Sequence, residues 1–162
     1  MFVSVDLAEY AAARRTTLYR TAVLLGCPEQ DADDLVQTTL ARCVRHWARV
    51  SRAENPDAYV YKVMLNAFRD ARARRWHGEL PTEVLPEIAE ADEDLAAAVA
   101  IRSAVAALSE EHRAVLVLRF YADLSERGTA RVLGLPAGTV KSRTARALAA
   151  LSADASIVRS SS

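Results

Sequence analysis

A chain of 162 residues can form one domain or two small ones, and 51% hydrophobic residues suffice to bury real cores. The 21 basic and 21 acidic residues cancel, so net charge alone selects no partner. Cys27 and Cys43 are too few and too far apart for a zinc framework or disulfide scaffold. There is also no apolar run of membrane-spanning length and no basic leader with an apolar core, so the expectation is a cytoplasmic protein that binds no membrane.

Glycine and proline are scarce, β-branched alternation is nearly absent, and Ala, Leu, Arg and Glu dominate, which predicts an all-α protein. The first helix is expected over about residues 7–25, with Leu18, Ala22 and Leu25 on one face and Gly26, Cys27 and Pro28 ending it. A second begins near Asp31 and carries Val36, Leu40, Cys43, Val44 and Trp47 as a buried stripe, with both cysteines serving as small apolar core residues. Residues 49–57 break the period and predict a loop containing Ser51, Arg52, Glu54 and Asn55. The third helix starts near Pro56; Val60, Val63, Met64, Ala67 and Ala71 face inward, leaving Lys62, Asn66, Arg69 and Ala73 outside as a basic, amide-bearing surface. At its end Arg72, Arg74 and Arg75 can grip phosphate or complement the helix dipole, and Trp76 is expected to pack on the bundle.

Charge then changes sign. From Glu79 to Asp94 there are seven acids and no Lys or Arg, punctuated by Pro81 and Pro86, which reads as a flexible acidic linker over 77–93. Apolar spacing resumes with Leu95, Val99 and Val105, predicting a helix over about 94–108 and another, capped by Ser109, running to about Tyr121. The organisation is therefore two small helical domains, 1–76 and 94–155, joined by that linker, with 156–162 as a disordered tail.

The stretch from Leu124 to Arg143 has the pattern of a helix-turn-helix: small Ala130 lets two helices cross closely, Gly134 supplies the turn, and Val140 anchors the second helix on the first. With Pro136 in its first turn, the second helix extends to about Leu151; Val140, Thr144, Ala147, Leu148 and Leu151 share one stripe, with Ser142, Ala145, Arg146 and Ala149 opposite. Between Arg127 and Ala153 there is no acid, so this face attracts phosphate in a salt-dependent way. Arg146 and Arg143 can fork onto guanine acceptors, Ser142 can donate or accept, Ala145 can meet a thymine methyl, and Lys141 suits a phosphate. The bland alternative is a basic amphipathic helix with solvated charges. His46, His77 and His112 lack metal-site spacing, so neither metal nor cofactor is expected.

Two stretches together resemble the sigma-70 family of bacterial RNA polymerase sigma factors, in its small extracytoplasmic-function group. The first is Ala32-Asp33-Asp34-Leu35-Val36-Gln37 with Trp47, Asn55-Pro56, Ala58-Tyr59, Asn66, Asp70 and the following arginines, similar to conserved region 2. The second runs from Leu108-Ser109-Glu110-Glu111-His112-Arg113 through Gly138-Thr139-Val140-Lys141-Ser142-Arg143, similar to region 4. The resemblance implies a subunit that binds core RNA polymerase through Asp33, Asp34, Leu35 and Gln37. It implies recognition of the minus-10 promoter element by Lys62, Asn66, Arg69 and Arg72 and by the loop residues Ser51, Arg52 and Asn55, which would hold a flipped base. It implies recognition of the minus-35 element by Lys141, Ser142, Arg143, Ala145 and Arg146. It further implies no catalysis, no small-molecule substrate, and an anti-sigma factor as an open further partner.

Two positions depart from the family, which usually has an acid and a branched apolar residue where Gly128 and Thr129 stand. Glycine inside a helix costs about 1 kcal/mol relative to alanine. It also removes the capping-box partner of Ser125. Of the rival readings, an autonomous repressor or activator would normally dimerise, and no heptad seam is evident. A DNA-processing enzyme would need clustered carboxylates or an activated nucleophile among arginines, and none is visible.

Overall fold

In the computed structural model, residues 6–76 and 93–160 are described, with side chains over 6–74 and 99–153; the predicted linker therefore lies almost wholly outside the described residues. Helices account for all the regular structure in these residues: α1 Leu7–Leu24, α2 Glu29–Val44, α3 Trp47–Val50, α4 Pro56–Trp76, α5 Glu93–Ala107, α6 Glu110–Leu116, α7 Glu126–Leu133 and α8 Ala137–Ser160. A π-helical turn, Val117–Tyr121, extends α6.

Local chemistry sets the ends. Gly26, at φ 111°, reverses the chain after α1, and the Cys27 amide then donates to the Ala22 carbonyl at 3.0 Å. Asn55 caps α4: its Oδ1 accepts from the Ala58 amide at 3.3 Å, with Pro56 in the first helical position. Ser109 caps α6 by accepting from the His112 amide, as its position before two glutamates predicts. Gly134, at φ 66°, supplies the left-handed turn between α7 and α8.

Several expectations shift. Val44 is 57% exposed and Leu148 44% exposed, although each was placed on a buried stripe. On α2 the buried face is centred on Ala32, Thr39 and Cys43, which puts Val44 about 120° away. Leu148 likewise lies at the margin of the face defined by Val140 and Ala147. The second helix ends at Val44 rather than Trp47, because Trp47 opens the separate short helix α3, which also takes residues 49 and 50 from the expected loop. Pro136 stands just before α8, its carbonyl accepting from the Val140 amide at 3.2 Å, which is the cap position rather than the first turn. The alanine-rich end of α8 contains no breaker, and the helix runs to Ser160 through most of the segment read as a tail.

Helices α1, α2 and α4 pack together, and α6, α7 and α8 form a second group. One apolar cluster nevertheless runs through both: Leu18, Val36, Val60 and Met64 from the first, with Val105, Val117, Leu118, Leu124 and Val132 from the second. A smaller cluster of Leu108, Val115, Leu116 and Ala147 holds α6 against α8. Thr129 is wholly buried and its hydroxyl has no partner among the described residues. An unpaired buried hydroxyl costs about 1–3 kcal/mol. Thr129→Val keeps the shape without that group and should raise stability by roughly 1–2 kcal/mol, read as a later midpoint in urea.

The first group also holds buried ionisable groups. Tyr10 packs on Trp47 with the rings tilted at 56° and their centroids 5.1 Å apart and donates to Asp57 Oδ1 at 2.6 Å, while Asp57 Oδ2 pairs with Arg14 at 3.1 Å. These contacts tie α1 to α3 and to the start of α4. Burial raises the Tyr10 hydroxyl pKa strongly, and the bond to Asp57 adds to it. Burial also pushes the Cys43 thiol from 9.0 up to about 11. A pKa raised by folding gives stability that is complete below the unfolded value and lost as pH climbs through the folded one. Denaturation midpoints should therefore fall as pH rises from 9.0 towards about 11.

Candidate nucleic-acid and polymerase interface

Three exposed faces result from these helices. On α8, Val140 and Ala147 are fully buried, which fixes the rotation of the helix, and Thr144 returns its hydroxyl to the Val140 carbonyl at 2.6 Å. Lys141, Ser142, Ala145 and Arg146 consequently face outward. Arg146 Nη2 lies 3.4 Å from Ser142 Oγ, one turn earlier, and Ser142 Oγ donates to the Thr139 carbonyl at 3.1 Å. Arg143 is half-buried and 3.8 Å from Glu111, so its charge is partly answered within the protein and Arg146 is the freer guanidinium. Arg127 and Arg131 on α7 are exposed as well, extending the basic surface.

On α4 the inward residues Val60, Met64 and Ala67 leave Lys62, Asn66 and Arg69 exposed on one stripe. Arg72 lies to one side, its guanidinium 5.4 Å from the Phe68 ring centroid and 2.8 Å from Glu110 of α6. Arg74 is exposed, and the side chains of Arg75 and Trp76 lie outside the described residues. In the loop, Arg52 is exposed, whereas Ser51 is half-buried and donates to the Ala48 carbonyl at 3.3 Å. Asn55 has a structural task as the α4 cap, which its place before a proline could have signalled.

On α2, Asp33, Asp34 and Gln37 are exposed neighbours, and because the helix starts at Glu29 the two acids lie in its second turn, beyond the first turn where the dipole would favour them. Leu35 differs: at 8% exposure it points into the core, so it supports this face from beneath and is not part of it.

Sequence reasoning missed the contacts between the two groups. Arg102 pairs with Glu29 at 3.2 Å, alongside the Arg72–Glu110 pair. Arg113 donates to the carbonyls of Val105, Ala106 and Leu108 at the end of α5. Its Nη1 also lies 2.9 Å from where a Cβ on Gly26 would stand. Pairings between residues so distant in sequence leave no periodic signal.

Among the described residues, then, a helical protein carries one outward basic stripe on a helix-turn-helix and another on a long helix, a pattern that suits nucleic acid. Residues 9–78 match the sigma-70 region 2 family and residues 98–151 the sigma-70 region 4 family. The RNA polymerase sigma-E factor of Streptomyces coelicolor is 38% identical over 148 residues, covering 90% of this chain and 84% of that one. The ECF RNA polymerase sigma factor SigM of Mycobacterium tuberculosis is 32% identical over 135 residues, covering 83% and 69%. Among solved structures, the sigma factor RpoE of Bartonella quintana, in complex with the anti-sigma factor NepR, superposes with TM-score 0.75 at 25% identity over 90% of this chain and 94% of that one. CnrH, in complex with the cytosolic domain of CnrY, gives 0.66 at 26% identity over 93% and 88%. The chain belongs to the sigma-70 family, in its extracytoplasmic-function group.

Proposed function

We propose that this chain joins core RNA polymerase and directs it to promoters with two separated recognition elements. The Asp33, Asp34 and Gln37 face docks on polymerase. Lys62, Asn66, Arg69 and Arg72, with the Ser51, Arg52 and Asn55 loop, engage the opened minus-10 strand; guanidinium groups track phosphate and an amide reads a base edge. Lys141, Ser142, Ala145 and Arg146 read the minus-35 duplex in the major groove, with Arg143 closer to its protein partner. The two DNA units are residues 1–76 and 94–155, and the acidic segment 77–93 sets the span between them.

The observation that carries this reading is the simultaneous exposure of the α4 and α8 stripes over fully buried helix faces. The chain itself performs no chemistry. Strand opening comes from binding the unpaired state in preference to duplex. Such a subunit works where polymerase works, in the cytoplasm, and no helix among the described residues is long and apolar enough to cross a membrane. Because RpoE is held by an anti-sigma factor, a comparable inhibitor is a partner to seek here.

The deciding experiment is transcription in vitro with purified core polymerase on genomic fragments, mapping the start sites. Discrete starts preceded by a common pair of motifs are expected. Absence of both a complex with core and any chain-dependent start would overturn the reading and leave an autonomous DNA-binding regulator.

A further inference from the structure

Lysine is rare in this chain, and its placement is selective. Of the 21 basic residues only Lys62 and Lys141 are lysines; the rest are arginines. Arginine makes the internal contacts: Arg14, Arg72, Arg102 and Arg143 pair with carboxylates, and Arg113 and Arg119 donate to main-chain carbonyls. The lysines take no part in this. Both are exposed, and among the described residues neither ammonium has an ion-pair or hydrogen-bond partner. One stands on the α4 stripe assigned to the minus-10 strand and the other on the α8 stripe assigned to the minus-35 duplex, while the α2 face of Asp33, Asp34 and Gln37 carries none.

The two kinds of cation differ in a way that phosphate binding does not use. A guanidinium holds phosphate at least as well as an ammonium, through more donors, and is not deprotonated in proteins. A primary amine can lose its proton and become a nucleophile. Acylation of that nitrogen removes its charge and leaves a neutral amide. The faces that present Lys62 and Lys141 also expose Arg69 on α4 and Arg146 on α8, and their positive potential gathers anions. An acyl donor that is itself a phosphate is therefore drawn towards these two nitrogens.

We propose that Lys62 and Lys141 are acylation sites, one for each promoter element, with a small acyl phosphate as the donor. The inference rests on the two stripe assignments above. Each ammonium first gives a proton to solvent. The free Nζ then attacks the acyl carbonyl carbon: an N–C bond forms, the C–O bond to phosphate breaks, phosphate leaves with the electron pair, and the surplus proton on nitrogen passes to water. Nothing is oxidised or reduced. The product amide no longer displaces a counterion from DNA, so each element loses one phosphate contact. Docking on polymerase is untouched, because the α2 face holds no lysine. A doubly acylated chain thus still occupies core polymerase but no longer places it on a promoter.

The test treats the full-length chain with acetyl phosphate, removes the reagent, maps the acetylated residues by mass spectrometry and assembles the chain with untreated core polymerase. The parent is compared with Lys62→Arg, Lys141→Arg and the double variant, each measured against its own untreated sample. The probes are a duplex carrying the minus-35 sequence of a promoter mapped with holoenzyme, and a single strand carrying its minus-10 sequence, captured by the holoenzyme. At about 0.15 M salt, treatment of the parent should weaken the duplex about five- to tenfold and strand capture about three- to fivefold, each with about one counterion fewer released. Treated Lys141→Arg should lose only strand capture, Lys62→Arg only duplex binding, and the double variant neither. Affinity for core polymerase should stay within about twofold in every treated sample. Retained affinity for both probes in a parent whose two lysines are acetylated overturns the proposal. So does an equal loss in the treated double variant, or failure of the two lysines to react where an exposed lysine in an unstructured peptide does. If untreated Lys62→Ala and Lys141→Ala bind both probes like the parent, the stripe assignments fall before any acyl donor is involved, and the proposal falls with them.

Discussion

Leu118→Ala should destabilise the chain by about 3–5 kcal/mol, the range for emptying a close-packed leucine site. Leu118 is 1% exposed and lies in the π-helical turn after α6. The π turn packs on α1 of the first group as well as on α6 and α7, and Leu118 belongs to the apolar cluster that spans both groups. The π turn limits relaxation: the Ala122 amide donates to the Val117 carbonyl at 2.9 Å and the Leu124 amide to the Leu118 carbonyl at 2.9 Å, so the backbone cannot easily settle into the void. Urea denaturation followed by circular dichroism gives the number, and a loss under about 1 kcal/mol would mean that the two halves are not closely packed at this point. Val115→Ala, also fully buried but in the smaller cluster that holds α6 against α8, provides the comparison for a site away from the joint.

Arg146→Ala should cost about 1–3 kcal/mol on the minus-35 duplex and flatten base preference at the position it contacts. The side chain is exposed, and among the described residues no acid is paired with it and its polar contact is a 3.4 Å approach to Ser142 Oγ. Its five donors are therefore available to a base edge. Lys141→Ala should instead weaken every sequence evenly and lower the salt dependence by about one counterion. Binding titrations on a duplex series substituted at each minus-35 position separate the two outcomes. Equal losses on all duplexes for both variants would place Arg146 on phosphate.

Much of this was legible before any coordinates. Period-3.6 stripes located the helices because each buries one face, and Asn55-Pro56, Ser109 and Gly134 marked ends through chemistry that acts within a few residues. The outward stripes on α4 and α8 followed by elimination, once Val60, Met64, Val140 and Ala147 had been set inside. Where apolar side chains sat at the margin of a face, as Val44 and Leu148 do, periodicity alone misplaced them, since it does not show how wide the neighbouring surface is. Leu35 was grouped with polar neighbours through a motif, yet a helix turns it 100° or more from Asp33, Asp34 and Gln37. The contact between α4 and α7 had only one trace, the unexplained glycine at 128, and a single missing side chain does not say what fills the space it leaves.

Gly26 and Arg113 lie far apart in the chain, yet the absence of a side chain at one leaves room for the guanidinium of the other. The guanidinium occupies the room that a side chain at 26 would need, and the left-handed backbone there is strained for any other L-residue. Because the backbone strain at 26 is independent of what stands at 113, glycine should persist there even in descendants that have lost the arginine, whereas the guanidinium tip needs the room only while arginine is present.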